Sequence, residues 1–416
     1  MNIDLVNNKA SINDLVSLKK ETPVTNLQPS SPNNTFGDDG VLAANLKKIN
    51  NSGSNPFGSP PNTSSDKSLK EGVVKKAYQS FAELDSNRNG FLSNKELINK
   101  MHDPNVKSEK AAVVATLLTN ETKIRNLSND EKTIESSGIS KNDLIALDKI
   151  EGQGSLKEKV ESNYYNALYK ASSAKSYFDS DGKLILPKKA SEISFSHINQ
   201  GGAGDCYFLA ALASQAQRNP QKILDMIKDN KDGTYDIKFS DKTVKVKAPT
   251  ETEIGLYGDG AGWMSLIEKA YAVYRNDGAL LKKDNPYDKS GGGSVVIGRG
   301  IKELTGNSFE TNLLKATNKN STRSKLIDAE KNNKLMTASI SKHIVSKSEF
   351  NLPDGHVYTI MGYDSQTDKV KIRNPWGHTE AENDLGIARD GSDDGVFEVS
   401  IDEFYKAFSM VAYEKK

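Results

Sequence analysis

The 416-residue chain has one cysteine, Cys206, within NQGGAGDCYFLAAL at 199–212. A lone thiol most often fills a core as a small hydrophobe. Here Gly204–Asp205 precede a run of helix-forming composition, which puts the sulfur at a helix N-terminus, where the macrodipole favours the thiolate. Gly201 and Gly202 let another backbone approach closely. Gln200, six residues upstream, can aim an amide N–H at the space beside the sulfur. A thiolate nucleophile also needs a group that takes and returns a proton, and a second group to orient it. Five histidines exist, at 102, 197, 343, 356 and 378. His356 is placed best, because it follows Gly355 and opens the strand pattern HVYTIMGYD. Asn374, in IRNPWG, can accept the imidazole N–H and hold one tautomer, with Trp376 over that bond to keep water off. Singly these signals are weak, since Asn-Pro is also an ordinary turn; the order Gln, Cys, His, Asn, Trp is what carries the reading.

A second chemistry sits in DSNRNGFLSNKE at 85–96. Asp85, Asn87 and Asn89 occupy positions 1, 3 and 5, Gly90 position 6, the Phe91 carbonyl position 7, Ser93 position 9 and Glu96 position 12. Calcium wants six to eight oxygens from a loop that wraps it, and this spacing supplies them with a glycine at the sharp turn. Only two carboxylates contribute, which predicts a sensor-like or weaker site. The unit resembles an EF-hand. A degenerate partner follows in KTIESSGISKNDL: with Ile139 at position 8, Ser140 falls at 9 and Asp143 at 12. Lys132, Ile134 and Ser136 then take positions 1, 3 and 5 and cannot build a calcium cage.

The elements that must position these groups read as follows. Residues 1–65 are rich in Asn, Ser, Pro and Gly without sustained apolar period and are predicted to be a disordered leader or pro-segment. Residues 66–150 read as four helices, the first with Val73, Ala77, Phe81 and Leu84 on one face, the second with Leu97, Ile98 and Met101. From 151 to 416 the pattern is mixed: a helix after Asp205, a hairpin in TYDIKFSDKTVKVK, an amphipathic helix in WMSLIEKAYAVYR, and strands in HVYTIMGYD, KVKIRN and GVFEVS. FDSDGKL at 178–184 reads as a turn. The fold class is α+β, with two lobes. Net charge is +1, so no global field attracts nucleic acid or an anionic membrane. One cysteine excludes an intramolecular disulfide, and no apolar run is long enough for a membrane span. No secretory signal is evident, which makes a cytoplasmic location the expectation, with non-Sec export open.

The segment QGGAGDCYFLAAL is similar to the nucleophile block of the calpain family of papain-like cysteine proteases. GHVYTIMGYD resembles that family's histidine strand and RNPWG its asparagine–tryptophan turn. WMSLIEKAYAVYR, SGGGSVV and DDGVFEVSIDEFYKAFSMV extend the likeness over roughly 155–416. The resemblance implies a papain-like core, with Cys206 as nucleophile, His356 as general acid/base and Asn374 as its orienter. It makes Gln200 and the Cys206 N–H an oxyanion hole, and Gly292 and Gly355 binders of substrate backbone. It also implies protein substrates. Tyr207 stands where the family usually has tryptophan, and the helix–loop–helix unit precedes the core, whereas in animal members it follows. His197 and Val396 stand near where those enzymes carry acidic calcium ligands in the core; Glu268, Glu380 and Asp394 remain. Two other readings keep the same residues: transglutamination or deamidation on the same triad, and a non-catalytic calcium-sensing adaptor that binds peptides. Oligomeric state is not legible in the sequence.

Overall fold

The structure is a computed structural model and describes residues 69, 71–131, 137–279, 281–341, 350–382 and 386–416. The expected leader at 1–65, His343, and the second-loop positions Lys132, Ile134 and Ser136 lie outside those residues.

Helix α1 (Val73–Leu84) buries Val73, Ala77, Phe81 and Leu84, the face its spacing predicts. After the Asp85 loop come β1 (Phe91–Leu92) and α2 (Asn94–Met101). Ser93 and Glu96 cap α2 reciprocally, each side chain bonding the other's backbone N–H. Helix α3 (Ser108–Ile124) leads to β2 (Ile139–Ser140), which runs antiparallel to β1 with Leu92 opposite Ile139. Helix α4 (Lys141–Asp148), capped by Ser140 and Asp143, and α5 (Leu156–Ser173) follow. The apolar cluster that these helices share extends past residue 150, for it includes Val160, Tyr164 and Ala167 of α5 and also Leu256.

Residues 178–184 form the expected turn, with Phe178 bridged to Leu184. Helix α6 (Cys206–Arg218) is buried at every residue from Cys206 to Ala216, so it is a core helix without a solvent face. Helix α7 (Pro220–Met226) precedes a three-stranded antiparallel sheet of β3 (Ile227–Asp229), β4 (Thr234–Lys238) and β5 (Thr243–Lys247). Helices α8 (Glu251–Leu256), α9 (Gly262–Asp277) and α10 (Arg299–Thr305) complete the helical side.

The remaining chain builds a six-stranded antiparallel sheet in the order β10-β9-β8-β7-β11-β6. Its members are β6 (Ser308–Leu313), β7 (Met336–Ile340), β8 (His356–Asp364), β9 (Lys369–Arg373), β10 (Val396–Ser400) and β11 (Met410–Lys415). Helix α11 (Lys319–Lys331) lies between β6 and β7 in sequence, and α12 (Ile401–Ala407) between β10 and β11. Val357 and Ala412 join the cluster of α6, whereas Tyr358, Ile360 and Val411 pack with α11 and α12. The sheet therefore separates two apolar layers, one centred on α6.

Helix α8 joins the N-terminal helices to this core. Thr250 Oγ1 donates to the Met101 carbonyl at the end of α2, 2.5 Å. Glu253, wholly buried, accepts from Lys269 Nζ at 2.7 Å and faces His102 Nδ1 at 2.8 Å. At its far end the Leu256 carbonyl accepts from Gly202 N–H, 3.1 Å. Deleting the Leu256 side chain should open a cavity in the N-terminal cluster and cost about 3 kcal/mol. Hydrogen exchange in Leu256→Ala is expected to accelerate in α1 and α3 more than in β8.

Candidate active site

The turn before Cys206 is built by two glycines. A Cβ on Gly201 would fall on the Tyr257 carbonyl, and one on Gly202 would lie 2.5 Å from the Leu256 carbonyl, so only glycine allows the α8 backbone to pass. Asp205 is the N-cap residue of α6, but its side chain makes no cap bond. Both of its carboxylate oxygens are buried without a hydrogen-bond partner, and burial raises its pKa to about 7.

Cys206 opens α6 and is buried at 4% exposure. The helix N-terminus favours its thiolate. Burial outweighs that effect and pushes the thiol up to about 12, with the Asp205 carboxylate adding to the rise. The backbone N–H groups of Val357, Tyr207 and Cys206 act in the opposite direction. The Val357 amide thus reaches the sulfur from β8, and the residue before it in the chain is His356. Helix and strand are also tied directly, because Thr359 Oγ1 donates to the Ala210 carbonyl at 2.9 Å.

His356 begins β8 after Gly355, whose φ of +67° lies in the left-handed region that favours glycine. His356 Nε2 lies 2.9 Å from Asn374 Oδ1. The amide orientation is fixed independently: Asn374 Nδ2 donates to the Thr379 carbonyl at 2.9 Å, and its Oδ1 accepts from Trp376 N–H at 3.0 Å. Oδ1 cannot donate, so the imidazole carries its proton on Nε2 and keeps Nδ1 as acceptor. Trp376 lies over the ring, with centroids 4.6 Å apart. Asn374 is wholly buried and His356 nearly so. Burial lowers the His356 pKa to about 4, against the raising effect of Asn374. Both shifts favour the uncharged forms of the thiol and the imidazole.

Gln200 meets the site from below. Its backbone N–H donates to the Pro375 carbonyl at 2.7 Å, which locks the cysteine turn to the asparagine–tryptophan turn. Next to it, Asn199 Oδ1 accepts from Arg373 Nη2 at 2.8 Å. The Gln200 side-chain amide donates to the Ala203 carbonyl at 2.5 Å and leaves Oε1 buried without a partner. One amide proton is thus already engaged within the turn. Gly292 lies beside Gly204, whose carbonyl accepts from Gly292 N–H at 3.3 Å, and a Cβ on it would stand 2.5 Å from Tyr207 Cε1. His378 is half-buried with Nδ1 on Thr379 Oγ1, and His102 pairs with Glu253; neither approaches Cys206 in any bond of the described residues. Asn199 and Arg373 had no signal of their own in the sequence, since nothing in their spacing marks them, and Asp205 was marked only as the start of a helix.

The Asp85 loop is closed by its own oxygens. Asp85 accepts from Asn89 N–H at 3.2 Å and Gly90 N–H at 2.9 Å, and Asn89 Oδ1 accepts from Phe91 N–H at 2.9 Å. Glu96 Oε1 accepts from Ser86 and Asn87 N–H at 2.9 and 3.1 Å, and Oε2 from Ser93. Gly90 has φ +86°. The donor set is all oxygen and contains both loop ends, which suits a hard cation such as calcium. In the second loop, Asp143 takes the place of Glu96 and accepts from Ser128 N–H at 2.8 Å. Among the described residues no cluster of three or more His, Cys, Asp or Glu could hold a metal. Glu380 accepts from the N–H groups of Asp394 and Val396 at 2.8 and 3.0 Å, and Glu268 is buried.

Comparison with known sequences decides the family. A family profile described as calpain family cysteine protease matches residues 184–413, more than half of the chain. The chain belongs to the calpain family. Human Calpain-9 is 28% identical over 209 residues, 44% of this chain and 28% of the relative. Calpain clp-4 of Caenorhabditis elegans is 25% identical over 257 residues, 51% of this chain and 34% of the relative. The chicken Calpain-2 catalytic subunit is 26% identical over 214 residues, 44% of this chain and 28% of the relative. The chain thus spans about a third of the length of the curated relatives that it matches. The helices from α1 to α5 precede the matched calpain segment, which contains Gln200, Cys206, His356 and Asn374. No helix among the described residues is long and apolar enough to cross a membrane.

The buried imidazole makes acid sensitivity testable. Between about pH 4 and 6.5 the unfolded chain binds a proton at this position that the folded chain does not. Stability from the neutral His356 is therefore full above about pH 6.5 and falls as pH drops toward 4, by at most roughly 3 kcal/mol. Urea unfolding of His356→Gln should show a shallower loss across that window than the wild type.

Proposed function

We propose that this chain is a cysteine endopeptidase that works through Cys206, His356 and Asn374 and responds to calcium. The observation that carries the reading is the tautomer fixed by Asn374, which leaves His356 Nδ1 as a base one residue from the amide that reaches the sulfur. As Sγ attacks a peptide carbonyl, the C–S bond forms and the thiol proton passes to His356. The developing oxyanion draws on the Cys206 N–H and on the Gln200 amide, which must turn from Ala203. The C–N bond then breaks as His356 returns the proton to the leaving amine. Water adds to the acyl group, giving one proton to His356; the C–S bond breaks and the thiol is restored. Starting from a neutral pair suits a buried site, since charge separates only when a carbonyl is present to receive it. Gly292 and Gly355 would bind substrate backbone, and Trp376 would shield the Asn–His bond. Protein segments in extended conformation are the proposed substrates, and a reducing compartment the proposed setting.

Asp85, Asn87, Asn89, the Phe91 carbonyl, Ser93 and Glu96 would hold the calcium. Bound calcium supplies charge that ties the loop entry to Glu96. Glu96 is in the first turn of α2, and the last turn of α2 is bonded to α8, whose end carries the turn before Cys206. That continuity supports coupling between the loop and the cleft.

Fluorescent casein should be cut by the wild type and left whole by Cys206→Ala. Asn374→Ala is expected to lower kcat about 10²- to 10⁴-fold, and Gln200→Ala about 10²-fold. Calcium titration followed calorimetrically should show one site that Glu96→Gln weakens, and a chelator should reduce casein cleavage. Equal cleavage by wild type and Cys206→Ala would remove the enzymatic reading; equal cleavage with chelator and calcium would remove only the regulatory one.

A further inference from the structure

Tyr207 follows the nucleophile and is wholly buried, yet its hydroxyl is used. It donates to the Ser290 carbonyl at 2.8 Å, at the start of the glycine segment that contains Gly292. The same oxygen lies 2.7 Å from Tyr271 Oη on α9, and Tyr271 Oη lies 2.6 Å from Glu303 Oε2 on α10. Arg275 Nη1 donates to the other oxygen, Glu303 Oε1, at 3.0 Å.

Three contacts of hydrogen-bond length need three protons, and the two hydroxyls supply two. The Ser290 carbonyl cannot donate, so the Tyr207 proton is committed to it. The Tyr207–Tyr271 contact then takes the Tyr271 proton. The Tyr271–Glu303 contact is a hydrogen bond only if the carboxyl supplies the third. If Glu303 is ionised, Tyr271 turns its proton to the charge, and two oxygens are left facing each other at 2.7 Å with the Tyr207 proton drawn two ways.

We propose that Tyr207 is a positioning residue for the Ser290–Gly292 backbone, held by the chain Glu303–Tyr271–Tyr207–Ser290, which closes only when Glu303 carries a proton. The ring contributes as well, since it packs where a side chain at Gly292 would stand. Aromatic packing fixes the middle of the chain: Tyr271 is stacked on Phe208 with centroids 3.6 Å apart. A tryptophan at 207 has no hydroxyl to offer, so this tether belongs to the tyrosine.

The outer end of the chain reaches a cavity of about 440 Å³ lined by Glu303, Arg275, Asp241, Lys242, Asp288 and Lys289. Of the groups facing Glu303, Arg275 from α9 and Arg299 on its own helix favour the carboxylate, as does the Tyr271 hydroxyl; burial works against it and prevails, raising its pKa. Tyr274, also on α9, donates to Asp241 rather than to Glu303. Solvent pH can therefore reach the acid through the cavity, and the acid sets the proton count of the chain.

The role of Gly292 as a backbone binder rests on the endopeptidase reading, so the test has an arm that needs no turnover. Hydrogen exchange of Tyr207→Phe should accelerate in the peptide covering 286–296, with β8 unchanged. With casein peptides, KM should rise about five- to tenfold while kcat stays close to wild type, the pattern of lost binding rather than lost chemistry. Glu303→Gln presents an amide N–H to Tyr271 at every pH. Its KM should stay flat as pH rises, while the wild-type KM climbs as Glu303 ionises. Unchanged exchange and unchanged KM in Tyr207→Phe overturn the proposal. A Glu303→Gln profile that tracks the wild type overturns the proton count. A wild type without turnover sinks the endopeptidase reading, and the exchange arm still decides the tether.

Discussion

One packing constraint underlies the site: a helix with no solvent face must lie across β8 with its first residue at the strand's first residues. Burial of α6 from Cys206 to Ala216 leaves it no freedom to rotate or slide, because every face of that stretch meets close-packed neighbours. The Thr359 hydroxyl on the Ala210 carbonyl pins the register in the middle of the crossing. Once that crossing is set, Cys206 meets the Val357 amide, and His356 stands next to it. Asn374 then needs only the neighbouring strand β9, which pairs with β8 and ends at Arg373.

The same burial has an electrostatic consequence. A sulfur at a helix N-terminus gains from the macrodipole, but that gain is modest beside the loss of hydration. Cys206 and His356 are shifted in opposite directions, and both shifts favour the uncharged forms. Asp205, buried beside the sulfur without partners, adds to this, so a charge placed here at rest has little to stabilise it. One Gln200 amide proton is likewise engaged inside its own turn.

Much of this was legible in the sequence because chemistry and backbone geometry left the same marks. Gly201 and Gly202 signalled a close backbone approach, and the α8 carbonyls occupy that space. Leu92 falls at position 8 of the first loop, the position given to Ile139 in the second, and the two stand opposite each other. Strands β8, β9 and β10 were found where turn residues bound them. β7 was not, because MTASI is buried at every residue and shows no alternation to read. β6 buries only Asn312 among its six residues, so its pattern is weak as well. The neutral state of the thiol was also beyond reach, since the helix terminus is local and visible while desolvation comes from the sheet packed against it. Glu253 closes a local cap with Thr250, but its pairing with Lys269 and His102 had no signal because those partners come from distant segments.

The proposed endopeptidase requires Cys206 and His356 to act as one nucleophilic unit under the hold of Asn374. Its most direct measurement is the rate at which a peptidyl epoxide adds to Cys206, followed by intact mass, in the wild type and in His356→Ala. A single adduct is expected on the wild type, with a rate lower by at least about 10²-fold without the imidazole. Equal rates in the two proteins, or a Cys206 that never reacts while the folded protein is intact, would contradict it.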